Sequence, residues 1–403
     1  MRIFSFSGEN EVEKVMHDIG VDPYGIKIML PKASTFLIRL SAISNIAANI
    51  LKQEMLSLGG DVAVARGVLT GKTKKTGCLI IGRPNQLCSL IHKLRLQPFG
   101  LHKLADDLDK NIKKYTRNNF IMPLGRGSLN FNAKTYIMGA INLTPDSFSG
   151  DGLYSIKASD YPNLALKKAE EMLRDGADII DLGGESSRPG ARNISTKEEL
   201  RRVLPIVKKL AKNINAPISI DTTKAEVAQA ALESGAQIVN DISGLRNKRM
   251  VKIVARHKAA VVIMHMLSRP VNMQKKIAYK SLIEDIVSWL NNAIDSAEYS
   301  GIEPKKIIVD PGIGFGKKPE QNLEIIKRLT DFKILGKPIL IGPCRKSFIG
   351  RVLKAKPQER LIGTVAVCVM AAERGANIVR VHDVKAVSQA MKMAAAIKNN
   401  AVA

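Results

Sequence analysis

The chain has 403 residues, more than one hydrophobic core normally holds, so two domains are expected. Apolar residues make up 45% and charged residues 25%, which is ordinary for a soluble globular protein, and no apolar run reaches the ~18 residues that span a bilayer. The net charge is +25, yet aromatics are only 4% and the basic residues are scattered in clusters as short as Lys72–Lys75 and Lys317–Lys318, so no nucleic-acid stripe is expected.

The first twenty residues carry early acidic residues and no apolar block, which argues against a secretory signal. Four cysteines at 78, 88, 344 and 368 form no Cys-x-x-Cys pair. That excludes a zinc or disulfide framework and fits a reducing, cytoplasmic location.

Residues 1–115 read as a small accessory α/β domain. Strands are predicted at 35–41, 61–67 and 77–82, with helices at 44–58, 85–94 and 100–115. Gly59-Gly60 stops the first helix. The order β-α-β-β-α predicts a ferredoxin-like sandwich. No catalytic motif occurs here. Residues 116–134 are polar and contain Gly, and read as a linker with a short hairpin.

From 135 to 403 short apolar runs alternate with helical stretches. Strands are predicted at 136–142, 177–184, 217–221, 236–241, 260–265, 306–310, 338–343 and 377–382. Helices are predicted at 163–175, 197–211, 224–234, 248–258, 281–299, 320–329, 360–374 and 384–398. Eight strands and eight helices in this length predict one (β/α)8 TIM barrel. The strands are nearly continuous apolar runs, as parallel strands covered on both faces must be.

Each strand ends in polar residues: Asn142, Asp181 with Glu185, Asp221, Asn240 with Asp241, His265, Asp310, Arg345 with Lys346, and Arg380 with His382. In a barrel these ends share one face. An Asp after a strand is often only a helix cap. Here Thr223 with Glu226, and Thr196 with Glu199, predict separate capping boxes, which leaves Asp221 and Asp181 free. Asp221, Asn240, Asp310 and Lys346 suit a flat, amide-rich heterocycle, and Arg380 beside His382 suits a phosphate. Two turn-rich loops, 142–155 and 183–193, follow the first two strands and are expected to close over a substrate.

Eight ordered blocks carry a resemblance: MGAINLTPDSFSGDG (138–152), DLGGESSRPGA (181–191), SIDTTKAEV (219–227), IVNDISGL (238–245), VIMHM (262–266), VDPGIGFGK (309–317), RKSFIG (345–350) and RVHDV (380–384). In them the chain resembles dihydropteroate synthase, a pterin-binding family of folate biosynthesis. The first region resembles an extension found in some bacterial members.

The resemblance implies that 4-aminobenzoate is joined to 6-hydroxymethyl-7,8-dihydropterin diphosphate, giving 7,8-dihydropteroate and diphosphate. It implies that Asp221, Asn240, Asp310 and Lys346 hold the pterin, with Met264 and Phe315 on its faces and Gly342 beside it. Arg380, His382 and Arg188 would bind the diphosphate, and Asn142 would contact a bridging Mg²⁺. Phe148, Ser187, Arg188, Pro189 and Ser347 would shape the aminobenzoate pocket. Lys346, Arg380, His382, Asp310 and Arg188 would carry catalysis, and a homodimer is implied. The apolar faces of the last two barrel helices, with residues such as Val365, Val369 and Ala372, suit either core packing or such a dimer surface.

The chain departs from the commoner pattern at Asp151, which falls one residue late in its loop, and at Cys344, where Ser is usual. Three other readings remain open at this stage: the same chemistry with another arylamine, a pterin-dependent methyltransferase, and a non-catalytic pterin- or nucleic-acid-binding protein.

Overall fold

The computed structural model describes residues 6, 8–125, 127–143, 160–186, 193–267 and 277–399. The chain forms two compact units, Met1–Lys113 and Lys114–Ala403.

The first unit opens with two short helices absent from the sequence reading, α1 (Glu9–Asp18) and α2 (Pro23–Met29). Asp22 caps the second by accepting from Tyr24 N at 2.8 Å. There follow β1 (Phe36–Ser44), α3 (Asn45–Ser57), β2 (Asp61–Val64), β3 (Lys75–Gly82), α4 (Pro84–Arg95) and α5 (Leu101–Thr116). The strand order is β1-β3-β2, with β3 antiparallel to both neighbours. This is the split β-α-β-β arrangement of a ferredoxin-like sandwich, built here with three strands. Val62, Cys78 and Ile80 from the sheet pack on Ala47, Leu51, Met55, Leu87, Leu90 and Leu94 from the helices.

The second unit holds the predicted barrel. Its strands are β6 (Tyr136–Asn142), β7 (Ile179–Gly183), β8 (Ile218–Asp221), β9 (Ile238–Asp241), β10 (Ala260–Met264), β11 (Ile307–Asp310), β12 (Leu340–Ile341) and β13 (Ile378–Val381). Seven consecutive parallel neighbours run from β11 through β6 to β13 and β12. The ring closes through a parallel bridge between Val309 and Ile339. Among the described residues the helices are α6 (Tyr161–Arg174), α7 (Thr196–Asn213), α8 (Ala225–Glu233), α9 (Lys248–Arg256), α10 (Leu282–Tyr299), α11 (Pro319–Lys327), α12 (Ser347–Leu353), α13 (Leu361–Glu373) and α14 (Val384–Asn399). All eight predicted strands and all eight predicted helices are present. The short α12 is additional.

The strands sort their side chains by parity, as a pleated strand requires. Ile137, Ile141, Ile180, Leu182, Ile218, Ile220, Val261, Ile263, Ile307, Val309, Val379 and Val381 pack outward against the helices. Met138, Ile179, Ile238, Ala260, Val262, Ile308, Leu340 and Ile378 line the inside. The same inner cluster contains Met122, Leu124, Leu129 and Phe131. These come from a hairpin, β4 (Ile121–Pro123) and β5 (Ser128–Asn130), within the segment read as a linker. The hairpin therefore plugs the N-terminal end of the barrel, and only the opposite end is available to a ligand.

Two caps differ from expectation. Helix α7 is capped by Ser195, whose Oγ accepts from Glu198 N at 3.2 Å. Helix α8 begins after Lys224, with Thr222 Oγ1 accepting from Lys224 N at 3.2 Å. Neither predicted capping box forms: Ser195 takes the cap of α7 one residue earlier, and α8 starts one residue later than the Thr223 box requires, with no side-chain cap. Asp181 and Asp221 cap neither helix and are left to Arg380.

Candidate active site

Inward parity decides which strand-end residues meet. Asp181 follows Ile179, Asn240 follows Ile238, Met264 follows Val262, Asp310 follows Ile308, and Arg380 follows Ile378, each two residues on from an inner-cluster residue. Asn142, Asp221, Gly342 and His382 share that parity.

Arg380 is the hub. Its Nε donates to Asp181 Oδ2 at 2.6 Å and its Nη2 to Asp221 Oδ2 at 2.8 Å. Asn240 Nδ2 donates to the same Asp181 oxygen at 3.3 Å. Asp181 is fully buried and its other oxygen has no partner among the described residues. Burial alone would lower the Arg380 pKa, but the charges of Asp181 and Asp221 outweigh it and hold the guanidinium above its ordinary value. Burial pushes Asp221 up to about 7, against the pull of Arg380. Asp181 had been read only as a strand end; its parity with Ile179 was the signal that it belongs to the site.

Beside this hub Asn142 Nδ2 lies 2.9 Å from His382 Nε2. The His382 Nδ1 and backbone N each lie 3.3 Å from Cys344 Sγ. The thiol thus stands at the His382 ring, and burial raises its pKa. Arg380 and His382 are two residues apart and share the inward parity of the last strand.

On the other side, Asp310 Oδ1 accepts from Gly312 N at 2.7 Å. Burial pushes Asp310 up to about 6, opposed by that N–H and by Lys346. Lys346 Nζ donates to Ile313 O at 3.0 Å and sits 4.0 Å from the centre of the Phe315 ring. Burial brings Lys346 down to about 8, against the attraction of Asp310. Met264 and Phe315 form a small apolar cluster with Met266 and Ile242, separate from the main core. The turn after β11 needs glycine at two positions. Gly312 has φ +70°, and a Cβ there would meet His265 O at 2.1 Å. A Cβ on Gly314 (φ +80°) would meet Lys346 Cδ at 2.7 Å. The backbone can approach Lys346 only because both lack side chains.

Gly342 lies next to Arg380, where a Cβ would meet Arg380 Cβ at 3.9 Å. Ser347 is exposed at the start of α12, directly after Lys346.

Four polar residues near the strand ends turn elsewhere. Asp241 accepts from Ser243 N and Leu245 N at 2.8 and 3.0 Å, which shapes its own loop. His265 is buried with Lys317 and Trp289, and burial holds its pKa down to about 2. Arg345 makes a two-pronged ion pair with Asp383, at 2.7 Å for each prong. Glu185 shares Lys224 with Glu199, at 2.7 and 2.6 Å, and also accepts from Ile194 N at 2.8 Å. Asp241, His265 and Arg345 have outward parity, which explains their exclusion. Phe148, Ser187, Arg188 and Pro189 lie outside the described residues, as does Asp151.

Three carboxylates and two cations thus converge at the open end: Asp181, Asp221 and Asp310 with Arg380 and Lys346. Such a surface offers acceptors to ring N–H groups and donors to carbonyl and phosphate oxygens.

Residues 138–382 match the model of the pterin binding enzyme family. The chain belongs to the pterin-binding enzyme family. A dihydropteroate synthase of Synechocystis is 45% identical over 278 residues, 68% of this chain and 94% of that one. A probable bifunctional folylpolyglutamate synthase/dihydropteroate synthase of Halobacterium salinarum is 37% identical over 354 residues. That alignment covers 88% of this chain and 42% of the relative, so the likeness reaches beyond the barrel unit. Among solved structures, a Clostridium difficile dihydropteroate synthase crystallised with pteroic acid is 46% identical, with TM-score 0.61, covering 66% of this chain and 97% of that one. A Xanthomonas albilineans dihydropteroate synthase with 4-aminobenzoic acid is 35% identical, with TM-score 0.64, covering 71% and 100%.

Removing one partner from a buried ion pair leaves an uncompensated charge, at a cost of about 3–5 kcal/mol. Asp181→Ala is therefore expected to lower the unfolding free energy of the barrel by about that amount. Urea denaturation followed by the fluorescence of Trp289, the single tryptophan, measures it; a loss below about 1 kcal/mol would show that Asp181 does not anchor Arg380.

Proposed function

We infer that this pterin-binding enzyme is a dihydropteroate synthase, joining 4-aminobenzoate to 6-hydroxymethyl-7,8-dihydropterin diphosphate. The observation that carries the reading is the inward ring of Asp221, Asn240, Asp310 and Lys346 beside Arg380 and His382. One half accepts from and donates to a pterin edge; the other meets a diphosphate.

In this reading Asp221, Asn240 and Asp310 bind the pterin N–H, amino and carbonyl groups, with Lys346 donating to the ring. Met264 and Phe315 cover the ring faces, and Gly342 leaves room at its edge. The substrate diphosphate takes the place of Asp221 on Arg380. Asp221 is thereby released to the pterin, so the two halves of the substrate bind together. The methylene C–O bond breaks and its electron pair leaves on the diphosphate, whose charge Arg380 and His382 neutralise. The resulting cation is spread over the pterin, where the Asp310 carboxylate stabilises it. The arylamine nitrogen forms the new C–N bond and gives up one proton to the departing diphosphate or to solvent. No covalent enzyme intermediate is required.

A Mg²⁺ ion belongs to this proposal. Among the described residues no group of three His, Cys, Asp or Glu could hold a metal. Asn142 offers a single amide oxygen, which suits an ion that keeps its waters and arrives bound to a diphosphate. When bound, it would add positive charge to the leaving group.

The expected result is formation of dihydropteroate by the purified chain, and a fall in kcat of about 100- to 1000-fold in Arg380→Ala and Lys346→Ala. Steady-state turnover with 4-aminobenzoate decides this; unchanged turnover in either variant would contradict its assigned role.

The pH dependence follows from burial. Asp310 and Asp221, raised to about 6 and about 7, must be ionised to accept from the pterin. Lys346, lowered to about 8, must stay protonated to donate. Activity is therefore lost as pH falls below about 7, where Asp221 protonates, and again as it rises above about 8, where Lys346 loses its proton. The predicted kcat/KM profile is a narrow bell near neutrality; a flat profile from about pH 5 to 9 would contradict it.

The enzyme is further proposed to be a cytoplasmic homodimer. Four free cysteines support a reducing compartment. Among the described residues no helix is long and apolar enough to cross a membrane. Helix α13, LIGTVAVCVMAAE, is apolar on nearly every side, yet Ile362 is 81% and Met370 44% exposed. Val365 and Val369 are half-buried. A helix of this kind is normally covered. Sedimentation equilibrium is expected to give twice the chain mass for the wild type and one chain mass for Ile362→Lys; a monomeric wild type would overturn the proposal.

A further inference from the structure

The reaction as drawn leaves one buried cation without a task. Lys317 is 3% exposed. Its Nζ donates to Gly312 O at 2.8 Å and Phe315 O at 3.0 Å, with His265 O at 3.4 Å. It also lies 3.2 Å from His265 Nδ1. An ammonium can only donate, so Nδ1 is the acceptor and the His265 proton sits on Nε2. The contacts are main-chain carbonyls and a neutral imidazole, with no carboxylate among them. Carbonyl oxygens that point toward one spot repel each other unless a cation lies at their focus. Lys317 supplies that cation from within the turn it organises.

The turn presents what the pterin half of the site needs. Phe315 places its ring 4.0 Å from Lys346 Nζ, and Ile313 O accepts from the same ammonium at 3.0 Å. A second pin comes from helix α11: Asn322 Oδ1 accepts from Gly314 N at 2.6 Å, and its Nδ2 donates to Lys318 O at 2.8 Å. Asp310 opens the turn and takes Gly312 N at 2.7 Å. Gly312 and Gly314 provide no side chain that could hold the conformation, so the buried ammonium and Asn322 hold it in their place.

We propose that Lys317 is a positioning residue for pterin binding, fixing the 312–316 turn so that Phe315 and Lys346 stand ready before the substrate arrives. Lys317 does not itself contact the substrate. The proposal rests on the pterin reading of the site. It adds that part of the affinity for pterin resides in a residue one layer behind it.

The test uses the full chain and the variants Lys317→Ala and Lys317→Met. Pteroic acid binding is measured by calorimetry, and KM is measured for both substrates. A displaced contact group commonly costs a large factor in binding or rate. The expected result is a rise of about tenfold or more in the pteroic acid Kd and the pterin KM in both variants. The KM for 4-aminobenzoate at saturating pterin should change less than about threefold. Methylammonium should restore binding in Lys317→Ala, where a cavity and the carbonyls remain, and not in Lys317→Met, where the side chain fills the space. A packing role alone would not respond to an ammonium ion. Pteroic acid binding within twofold of wild type in the folded variants would overturn the proposal, as would weakened binding in Lys317→Ala that methylammonium leaves unchanged. If Lys317→Ala does not fold, judged by Trp289 fluorescence, the Lys317→Met affinities decide. Wild-type turnover tests the assigned reaction separately: an inactive wild type that still binds pteroic acid through Lys317 would refute the reaction and leave this inference standing.

Discussion

The open end of the barrel depends on one guanidinium. Arg380 leaves the last strand and spans the interior to Asp181 on β7 and Asp221 on β8, while Asn240 on β9 joins through Asp181. Four strand ends are thereby tied by charge where apolar contact gives out. Two unit charges about 4 Å apart attract by about 4 kcal/mol at an effective dielectric of 20, but each must also be stripped of water. The cluster is stable as a set and unstable in parts. That condition is what makes it useful: an anionic ligand can replace a carboxylate on Arg380 without leaving the guanidinium unpaired.

The remainder of the unit serves that cluster by excluding alternatives. The hairpin fills the N-terminal end with Met122, Leu124, Leu129 and Phe131. The interior above it is apolar for one turn of the strand pleat, at Ile179, Ile238, Ile308 and Ile378, and becomes polar two residues later. Ligand chemistry is thus confined to one face. On that face the glycine turn after β11 lets main chain approach Lys346 closely, and the buried Lys317 sets its shape. The site is a balance of short polar contacts over an apolar floor.

Much of this was legible in the sequence. The apolar runs marked all eight barrel strands, and the polar residues that end them included every described residue of the Arg380 hub. Asp181 was visible but unassigned, since its task depends on a partner 199 residues away. The list of strand ends also took in Asp241, His265 and Arg345, because it ignored which side of the pleat each occupies. Counting in steps of two from Ile238, Val262 and Leu340 would have set them aside. The capping boxes at Thr196 and Thr223 do not form, because Ser195 caps one helix a residue earlier and the other helix starts only after Lys224. The short hairpin was legible, but its place inside the barrel was not, because Met122, Leu124, Leu129 and Phe131 sit in a polar, Gly-containing context. The role of Lys317 was not legible at all, since a lysine after a glycine-rich turn looks like surface until its carbonyl partners are seen.

In the proposed reaction Arg380 exchanges Asp221 for diphosphate while Asp221 turns to the pterin. A crystal structure with pteroic acid and diphosphate bound together tests it most directly. The account predicts the diphosphate on Arg380 and His382, and the pterin on Asp221, Asn240, Asp310 and Lys346. A structure in which both ligands are bound and Arg380 still grips Asp221, touching neither, would contradict it.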